Sequence, residues 1–519
     1  MNAMDTAART HTAHDEAPSV ESLMLDGDAA YQALTARDAR FDGRLFVGVT
    51  STRIYCRPIC RVRTPMRKNC RFFATPAQAE AAAFRPCLKC RPEIAPGADF
   101  AWTVMDASRT LARQAADELD TQAASGEPPS LARLAERLGV SDRHLRRIFQ
   151  AEHGVTPLQY LQTRRLLLAK QLLTDTTLPV SQVALASGFQ SLRRFNAAFA
   201  ENYRMSPSRL RGESVDESTP RAATADDAVR IKLGYRTPYD IAAMLRFLAM
   251  RAIPDVEHVD VAARRVRRSV RAGTLADVPG WIEAEFDANA AVVNLRFAPA
   301  LAPASGRVVA TARRWLDLDA VPHTIDATLA AIPGDPGLRL PGSVDTFELA
   351  VRAVLGQQVT VAAARTLARR LADRFGEAIT TPWPDEVNHA FPAPGLLAVT
   401  PIEKIAELGI IRARAGAIIA IAQAWPAIAA LLAPHARADP LIERLCEVPG
   451  IGPWTAHYIA MRALGWPDAF PPNDVAVLKA MKQLFGTGSQ READAHAQAW
   501  QPWRAYAVLR LWNSLEKKS

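Results

Sequence analysis

Cysteines are the residues whose possible chemistry can be judged most directly from their spacing. Four of the six form two close pairs, Cys56 with Cys60 and Cys87 with Cys90, and 26 residues separate the pairs. Four thiolates at such spacings can close a tetrahedron around zinc, so the sequence predicts a zinc site. A zinc-bound thiolate stays deprotonated at neutral pH and is therefore a nucleophile. The alternative is a purely structural zinc that stabilises a small domain.

The residues around the cysteine pairs are strongly basic. Seven Lys or Arg side chains lie between Arg53 and Arg71, both included, and no acidic residue occurs from Gly43 to Ala79. Such a charge distribution suits a phosphate backbone and favours a reactive site over a structural one. Cys70 lies outside the paired pattern, and we expect it to be a bystander thiol without a role.

A second pattern lies near the other end of the chain. The sequence Pro-Gly-Ile-Gly-Pro-Trp predicts a helix end, a hairpin with Gly450 and Gly452, and a new helix. The glycines allow a tight turn and offer backbone N–H groups to a phosphate without reading base sequence. Asp474 follows about twenty residues later, where a carboxylate can cap the predicted helix 475–485, do chemistry, or do both. Cys446, just before the hairpin, is expected to pack in the core.

Length and charge limit what the chain can be. With 519 residues it should contain three or four domains, and 63 Lys and Arg against 54 Asp and Glu give a net charge of +9 that suits a polyanion. The first residues lack the pattern of a secretory signal, so we expect a cytoplasmic protein. The apolar stretch 415–434 is rich in Ala and contains Gln423 and Pro426, which predicts a buried helix and no membrane contact. The expected oligomeric state is a monomer.

Periodicity and composition predict a multidomain and mainly α protein. No tandem repeat of the solenoid type is visible. The predicted parts are a disordered tail at 1–19, a small α+β cysteine domain at 20–98, an all-α domain with two helix-turn-helix units at 100–212, a linker at 213–228, an α+β domain at 229–312 and an all-α domain with the glycine hairpin at 313–519.

Segments 46–60 and 84–92 resemble the N-terminal domain of the Ada methylation-response proteins. They read Phe-Val-Gly-Val-Thr-Ser-Thr-Arg-Ile-Tyr-Cys-Arg-Pro-Ile-Cys and Phe-Arg-Pro-Cys-Leu-Lys-Cys-Arg-Pro. The resemblance implies that Cys56, bound to zinc, irreversibly takes a methyl group from a methylphosphotriester in DNA. The other zinc ligands would be Cys60, Cys87 and Cys90. Methylation removes a negative charge beside DNA, which should tighten binding.

Segment 129–212 resembles the DNA-binding domain of AraC-type transcription regulators. A helix, a turn at Gly139 and an Arg-rich helix recur around Gly188, and Gly-Val-Thr-Pro-Leu-Gln-Tyr-Leu and Ser-Gly-Phe-Gln-Ser lie where that family has them. The recognition helices would be 141–150 and 190–200. A solvated helix face remains an alternative for each basic residue. The candidate groove contacts are Arg143, His144, Arg147, Ser191, Arg193 and Arg194.

The hairpin followed by Phe-Pro-Pro-Asn-Asp resembles the helix-hairpin-helix DNA glycosylases, in which the aspartate is catalytic. This implies that Asp474 stabilises the oxocarbenium character at the sugar and orients or deprotonates the attacking water. Members that also cut the backbone carry a lysine two residues after the second glycine, for a Schiff base. Trp454 stands there, which predicts hydrolysis only. A large aromatic there suits stacking on a flipped, positively charged base.

From about residue 230 onward the chain resembles the AlkA 3-methyladenine glycosylases, through segments around Pro238, 336–359 and 500–512. The resemblance implies a base pocket with an edge at Phe247. Gln358 stands where that family inserts an apolar wedge into DNA, and Asn473 replaces the first of two aspartates. A polar wedge still fills the gap but holds a flipped base less tightly, so the lesion range stays open. The implied pocket residues are Trp454, Tyr458 and Trp512.

Together these features predict a fused sensor, regulator and repair enzyme of the DNA alkylation response, with zinc as its cofactor. Its expected partners are double-stranded DNA, at damaged and promoter sites, and RNA polymerase. Two alternatives stay open. One is a transcription regulator whose glycosylase half serves only as a DNA clamp, although such a clamp would not need Asp474 or Trp454. The other is a repair enzyme whose N-terminal half only tethers it to DNA.

Overall fold

The computed structural model describes residues 27–97, 107–125, 130–214, 228–432, 436–487 and 489–516. The predicted tail 1–19 and most of the predicted linker lie outside these ranges, although residues 213 and 214 still belong to a helix. Helices dominate the described chain, which confirms the multidomain and mainly α class. The domain names used below are the cysteine domain for 27–97, the helix-turn-helix domain for 107–214, the sheet domain for 228–304 and the hairpin domain for 305–516.

The cysteine domain combines a small sheet with short helices, as predicted. Its elements are α1 (Gly27–Thr35), β1 (Phe46–Val49), β2 (Ile54–Cys56), β3 (Cys70–Phe73), α2 (Pro76–Ala81) and β4 (Arg85–Pro86). The strand order is β3-β1-β2-β4, antiparallel except for the β2–β4 pair. Gly48 in β1 leaves room for two aromatic rings, because a Cβ there would lie 2.8 Å from Phe73 and 2.9 Å from Phe84.

Polar caps and glycine turns define the helix-turn-helix domain. Its helices are α3 (Ala107–Ser125), α4 (Leu131–Arg137), α5 (Asp142–His153), α6 (Pro157–Asp175), α7 (Val180–Ala186), α8 (Leu192–Tyr203) and α9 (Pro207–Ser214). The hydroxyls of Ser141 and Ser191 cap α5 and α8. The turns before these two helices pass through Gly139 and Gly188, whose φ values are +68° and +82°. Both predicted helix-turn-helix units are therefore present.

The sheet domain is a five-stranded antiparallel sheet with one long helix. Its elements are β5 (Val229–Gly234), α10 (Ile241–Arg251), β6 (Glu257–Asp260), β7 (Arg265–Val270), β8 (Gly280–Asp287) and β9 (Val292–Phe297), in the strand order β5-β9-β8-β7-β6. Asp240 caps α10 by accepting the N–H of Ala243 at 2.9 Å. The capping carboxylate fixes the start of the helix at Ile241.

The hairpin domain is helical apart from one two-residue ladder. Its elements are α11 (Ser305–Trp315), α12 (Pro322–Thr328), α13 (Thr346–Leu355), α14 (Val361–Phe375), β10 (Glu377–Ala378), β11 (His389–Ala390), α15 (Pro394–Val399), α16 (Ile402–Ala406), α17 (Arg412–Ala429), α18 (Ala438–Cys446), α19 (Pro453–Ala463), α20 (Val475–Phe485), α21 (Gln490–Ala497) and α22 (Arg504–Glu516). Pro382 and Pro384 prevent a helix between β10 and β11, a departure from the all-α prediction for this domain. Helix α11 crosses the boundary predicted at 312/313, and that boundary remains a prediction.

Within the apolar stretch 415–434, residues 415–429 form most of α17, whose inner face packs in the core, while 433 and 434 lie outside the described residues. Ile418, Ile421 and Ile428 on that face have no exposed surface, as expected for a buried helix. Across the described ranges, no helix is long and apolar enough to cross a membrane.

The cysteine domain is joined to the sheet and hairpin domains by a buried arginine. Arg236, 2% exposed, follows β5 and donates from Nε to the carbonyl oxygen of Asp42 at 3.1 Å. Its other nitrogens donate to the carbonyl oxygens of Gly97 and, at 2.6 Å, Asp319. One guanidinium thus holds three segments that are far apart in sequence.

A buried ion pair joins the cysteine domain to α6. Lys170 is 1% exposed, and its ammonium binds the Glu93 carboxylate, whose side chain has no exposed surface. Arg91 also binds Glu93, at 2.9 Å, and reaches Asp175 on α6 at 2.6 Å. Two salt bridges therefore connect the cysteine domain with the helix-turn-helix domain.

We expect Lys170→Met to lower the free energy of unfolding by about 3 kcal/mol, because it leaves Glu93 buried beside Arg91 alone. Urea unfolding of the zinc-loaded protein, followed by circular dichroism, measures the change. The double variant Lys170→Met with Glu93→Gln should recover part of the loss, because it buries no unpaired charge. Equal stability of the single variant and the wild type would contradict a buried pair.

Candidate functional sites

The two cysteine pairs meet in one cluster, although β2, the loop after it and the segment after β4 carry them separately. The sulfur atoms of Cys56, Cys60, Cys87 and Cys90 all lie within 4.8 Å of one another. Tetrahedral zinc with four thiolates needs sulfur atoms about 3.8 Å apart, so this donor set and size fit zinc. Cys90 is half-buried, whereas the other three are buried. The predicted methyl acceptor, Cys56, is therefore among the less exposed ligands.

Arg57, next to Cys56, supports the cluster from inside. Its backbone N–H donates to Sγ of Cys90 at 3.4 Å, and its Nη1 donates to the Cys90 carbonyl oxygen at 3.1 Å. Its guanidinium also forms a buried ion pair with Asp42. Burial lowers the pKa of Arg57, but the Asp42 carboxylate outweighs burial and the net pKa is raised. Arg57 therefore does not belong to the basic surface that the sequence predicted for phosphate.

Five of the other six basic residues between 53 and 71 are exposed and form the basic surface that the sequence predicted for phosphate. Arg67 is half-buried and pairs with Asp28 at 2.9 Å, which leaves its charge partly compensated. Cys70 is buried on β3 with its sulfur 3.5 Å from the carbonyl oxygen of Met66, outside the four-cysteine cluster. The exposed basic residues are Arg53, Arg61, Arg63, Lys68 and Arg71.

Both predicted recognition helices present arginines to solvent. Arg143, Arg147, Arg193 and Arg194 are exposed on α5 and α8. His144 is half-buried, and its Nδ1 lies 3.1 Å from Nη2 of Arg147. The Ser191 hydroxyl accepts the N–H of Arg194 at 3.4 Å, so its shown role is the cap of α8. Contacts of these six residues with DNA remain predictions.

Between α18 and α19 the chain forms the predicted hairpin. Gly450 has φ +86°, and a Cβ there would lie 2.6 Å from the Cβ of Ala417, so only glycine fits. Gly452 caps α19, is exposed, and has no atom within 4 Å of its Cβ position, which leaves the helix N-terminus open to a phosphate. Cys446 is exposed, which corrects the expectation that it packs in the core.

Asp474 is buried at the start of α20 and accepts three hydrogen bonds. Its Oδ1 accepts the N–H of Val477 at 2.8 Å, which confirms the helix cap. Nε1 of Trp454 donates to Oδ2 at 2.8 Å, and Nε1 of Trp512 donates to Oδ1 at 3.3 Å. The carboxylate is 5% exposed and is held by two aromatic side chains that the sequence assigned to the base pocket.

The predicted pocket aromatics lie together beside this carboxylate. Trp454 and Tyr458 are stacked, with ring centroids 5.3 Å apart and an interplanar angle of 6°. The ring of Trp512 lies 6.4 Å from that of Tyr458. Phe247 is buried, and the Arg251 guanidinium lies 3.7 Å from its ring centroid. The structure thus brings Trp454, Tyr458 and Trp512 together, while their contact with a base and the place of Phe247 at the pocket edge remain proposals.

One group near the pocket was missed by the sequence analysis. Arg462 of α19 is buried, and its Nη1 donates to the hydroxyl of Tyr458 at 3.0 Å. Its guanidinium also lies 5.0 Å from the ring centroid of Phe247. The spacing of four residues between Tyr458 and Arg462 was a usable signal, because such residues share a helix face.

The two departures from the AlkA pattern both have left-handed backbone. Gln358 is exposed between α13 and α14 with φ +54°, and its role as a wedge remains a prediction. Asn473, with φ +57°, precedes Asp474, and its N–H donates to the side chain of Gln490 at 2.7 Å. Asparagine tolerates this conformation better than most residues.

Four family models match the chain in sequence order. They are the metal binding domain of Ada at 29–93, a helix-turn-helix domain at 134–213, the AlkA N-terminal domain at 230–345 and the HhH-GPD superfamily base excision DNA repair protein at 351–505. Their order is the one that the sequence predicted.

Three relatives show how much of the chain each type of protein shares. The probable bifunctional transcriptional activator/DNA repair enzyme AlkA of Mycobacterium tuberculosis is 35% identical over 508 residues, covering 95% of this chain and 97% of that protein. DNA-3-methyladenine glycosylase 2 of Escherichia coli is 34% identical over 281 residues, covering 54% and 95%. The bifunctional transcriptional activator/DNA repair enzyme Ada of Escherichia coli is 34% identical over 146 residues, covering 28% and 38%. The chain therefore belongs to the family of bifunctional transcriptional activator/DNA repair enzymes of the AlkA type, with an Ada-type zinc domain and a helix-turn-helix domain ahead of the DNA glycosylase half.

Proposed function

We propose that this protein removes alkylated bases such as 3-methyladenine from double-stranded DNA by hydrolysis, and that the same chain accepts methyl groups from DNA methylphosphotriesters and regulates transcription. The observation that carries the glycosylase proposal is the buried carboxylate of Asp474, held by Trp454 and Trp512 beside the open N-terminus of α19. A mere DNA clamp needs the helix terminus but has no use for such a carboxylate.

In the glycosylase reaction the bond between C1′ and the base nitrogen breaks, and its electron pair leaves with the base. The Asp474 carboxylate stabilises the positive charge that develops on the sugar. A water oxygen then bonds to C1′, and its proton passes to the carboxylate. The products are the free base and an abasic site.

The proposed enzyme has no lyase activity, because Trp454 occupies the position where a Schiff-base lysine would stand. In its place, the ring of Trp454 lies at the carboxylate and can stack on a base that has left the duplex. The hairpin glycines hold the DNA backbone, and Gln358 fills the gap left by the flipped base.

We expect the purified protein to release free 3-methyladenine from a methylated duplex and to leave the abasic strand intact. Chromatography of the supernatant detects the base, and a denaturing gel before and after alkali treatment detects strand breaks. Strand cleavage without alkali would contradict the monofunctional assignment. Absence of any free base would contradict the glycosylase itself.

The methyl acceptor we propose is Cys56. Its thiolate sulfur attacks the methyl carbon of a phosphotriester, a sulfur–carbon bond forms, the carbon–oxygen bond breaks, and the phosphodiester leaves with the electron pair. Zinc, when bound by the four cysteines, keeps their thiolates deprotonated. The exposed arginines of the cysteine domain bind the DNA backbone, and loss of one negative charge strengthens that contact.

The regulatory half reads promoter DNA through α5 and α8. The residues that we assign to the grooves are Arg143, His144, Arg147, Ser191, Arg193 and Arg194. In this proposal the protein acts as a monomer in the cytoplasm, at the nucleoid, and recruits RNA polymerase.

A further inference from the structure

Arg462 is a buried cation without a carboxylate partner in the described part of the chain. Its Nε and Nη2 donate to the carbonyl oxygens of Pro341 and Gly342 at 2.8 and 2.9 Å, and the side chain is 7% exposed. A buried charge is expensive unless an opposite charge compensates it. Among the residues that the structure describes, the one side-chain acceptor for Arg462 is the hydroxyl of Tyr458, at 3.0 Å.

Other guanidinium groups add to the positive charge around Tyr458. Arg251 from α10 and Arg352 from α13 both favour the ionised form of this phenol, together with Arg462 from its own helix. Helix α22 contributes the uncharged ring of Trp512. The phenol therefore faces three cations.

The carboxylates near these elements are already bound elsewhere. Glu348 on α13 and Glu257 on β6 are held by Arg268 and Arg352. Asp474 at the start of α20 is held by the indole N–H groups and the helix cap. None of these carboxylates is hydrogen-bonded to Arg462, so the phenol is the group placed to compensate its charge.

We infer that Tyr458 ionises to a phenolate paired with the Arg462 guanidinium as the pH rises above neutral, and that the negative ring of this form makes the pocket prefer alkylated bases that carry a positive charge. The inference rests on the proposed glycosylase function and adds a positioning role for Arg462. Burial alone raises the pKa of Tyr458, but Arg462 and the two further arginines outweigh it and lower the pKa from 10.0 to about 8.

The stacked rings place the negative charge of Tyr458 close to the proposed position of the base. Trp454 lies parallel to the ring of Tyr458 at 5.3 Å, and the ring of Trp512 lies 6.4 Å from it. A negative charge at this position attracts a cationic 3-methyladenine nucleotide and leaves a neutral hypoxanthine nucleotide unaffected. Preference between the two bases should therefore follow the ionisation of Tyr458.

Absorbance titration of the full-length protein tests the ionisation directly. The near-ultraviolet signal of tyrosinate in the wild type should show one tyrosine ionising at a pH of about 8, a step that Tyr458→Phe removes. Arg462→Lys, checked for its fold by circular dichroism, should move the step upward, because lysine lacks the planar fork that reaches the phenol. As a matched control, Tyr235→Phe should leave the step unchanged, because burial raises the pKa of Tyr235 to about 12.

Base release tests the consequence for selection. Between about pH 7 and about pH 9, a group with a pKa of about 8 goes from about one-tenth to about nine-tenths ionised, so the rate of 3-methyladenine release relative to hypoxanthine should rise by up to about tenfold. Blanks without enzyme correct for spontaneous release. In Tyr458→Phe the ratio should stay constant over this range.

The two proposals fail differently in these experiments. If the wild type releases 3-methyladenine but shows no tyrosine step, or if the step persists in Tyr458→Phe, the phenolate is wrong while the glycosylase stands. If the ratio of the 3-methyladenine and hypoxanthine release rates in the wild type does not change with pH, the proposed effect of Tyr458 ionisation on base preference is also wrong. If the wild type releases neither base at any pH, the glycosylase proposal itself fails, whatever the titration shows.

Discussion

Asp474→Asn should reduce the rate of 3-methyladenine release by about 100-fold to 10,000-fold, a range set by the contributions of a catalytic base and of charge stabilisation. Asparagine has the same shape but carries no negative charge to stabilise the sugar cation, and its amide cannot accept a proton from water. Single-turnover release from a methylated duplex measures the effect, and gel-shift binding to the same duplex should be retained.

The choice of asparagine separates chemistry from folding. Asp474 also caps α20, and asparagine is about as good a cap as aspartate, so the Val477 N–H keeps its acceptor. The hydrogen bond from Trp454 is lost if the amide nitrogen faces it. Asp494→Asn is the matched control, because this exposed carboxylate on α21 lies outside the pocket residues. Wild-type release rates in Asp474→Asn would remove Asp474 from the mechanism.

Cys56→Ser should abolish methyl transfer from methylphosphotriester DNA completely, because a serine hydroxyl is neither a thiolate nucleophile nor a good zinc ligand. Intact-protein mass spectrometry measures the added methyl group. Cys70→Ser is the control, since Cys70 lies outside the cluster and its loss should leave both zinc content and transfer unchanged. Transfer at the wild-type level in Cys56→Ser would exclude Cys56 as the acceptor.

Loss of zinc alone could also stop transfer in Cys56→Ser, so the wild type supplies the decisive measurement. Peptide mapping after reaction should place the methyl group on Cys56. Cys56 is buried and Cys90 is more exposed, so peptide mapping must distinguish these two ligands as possible methyl acceptors. A methyl group on Cys90 would identify the more exposed ligand as the acceptor.

Local patterns allowed much of the fold and site to be predicted from sequence. Ser141 and Asp474 were each assigned to a helix start, and both cap a helix, because capping depends on neighbouring residues. The zinc cluster could be predicted because the short spacing within each cysteine pair is also a local pattern.

Residues whose surroundings come from distant segments were harder to predict. The partner of Arg57 is Asp42, and the backbone partners of Arg462 lie more than a hundred residues away, so neither contact leaves a local pattern. The prediction that Cys446 packs in the core was wrong. The buried face of α18 passes through Leu441 and Leu445, and the residue after Leu445 points toward solvent.

The contacts of Arg236 have a consequence for dissecting the protein into fragments. A recombinant glycosylase half that begins near residue 228 would lack the carbonyl oxygens of Asp42 and Gly97 and would expose a guanidinium that is 2% exposed in the whole chain. It would also uncover apolar side chains of β5 that share a cluster with Leu166 and Phe199 of the helix-turn-helix domain. Separately expressed halves should therefore be prone to aggregation. Assays on these halves would underestimate the activity of the intact enzyme.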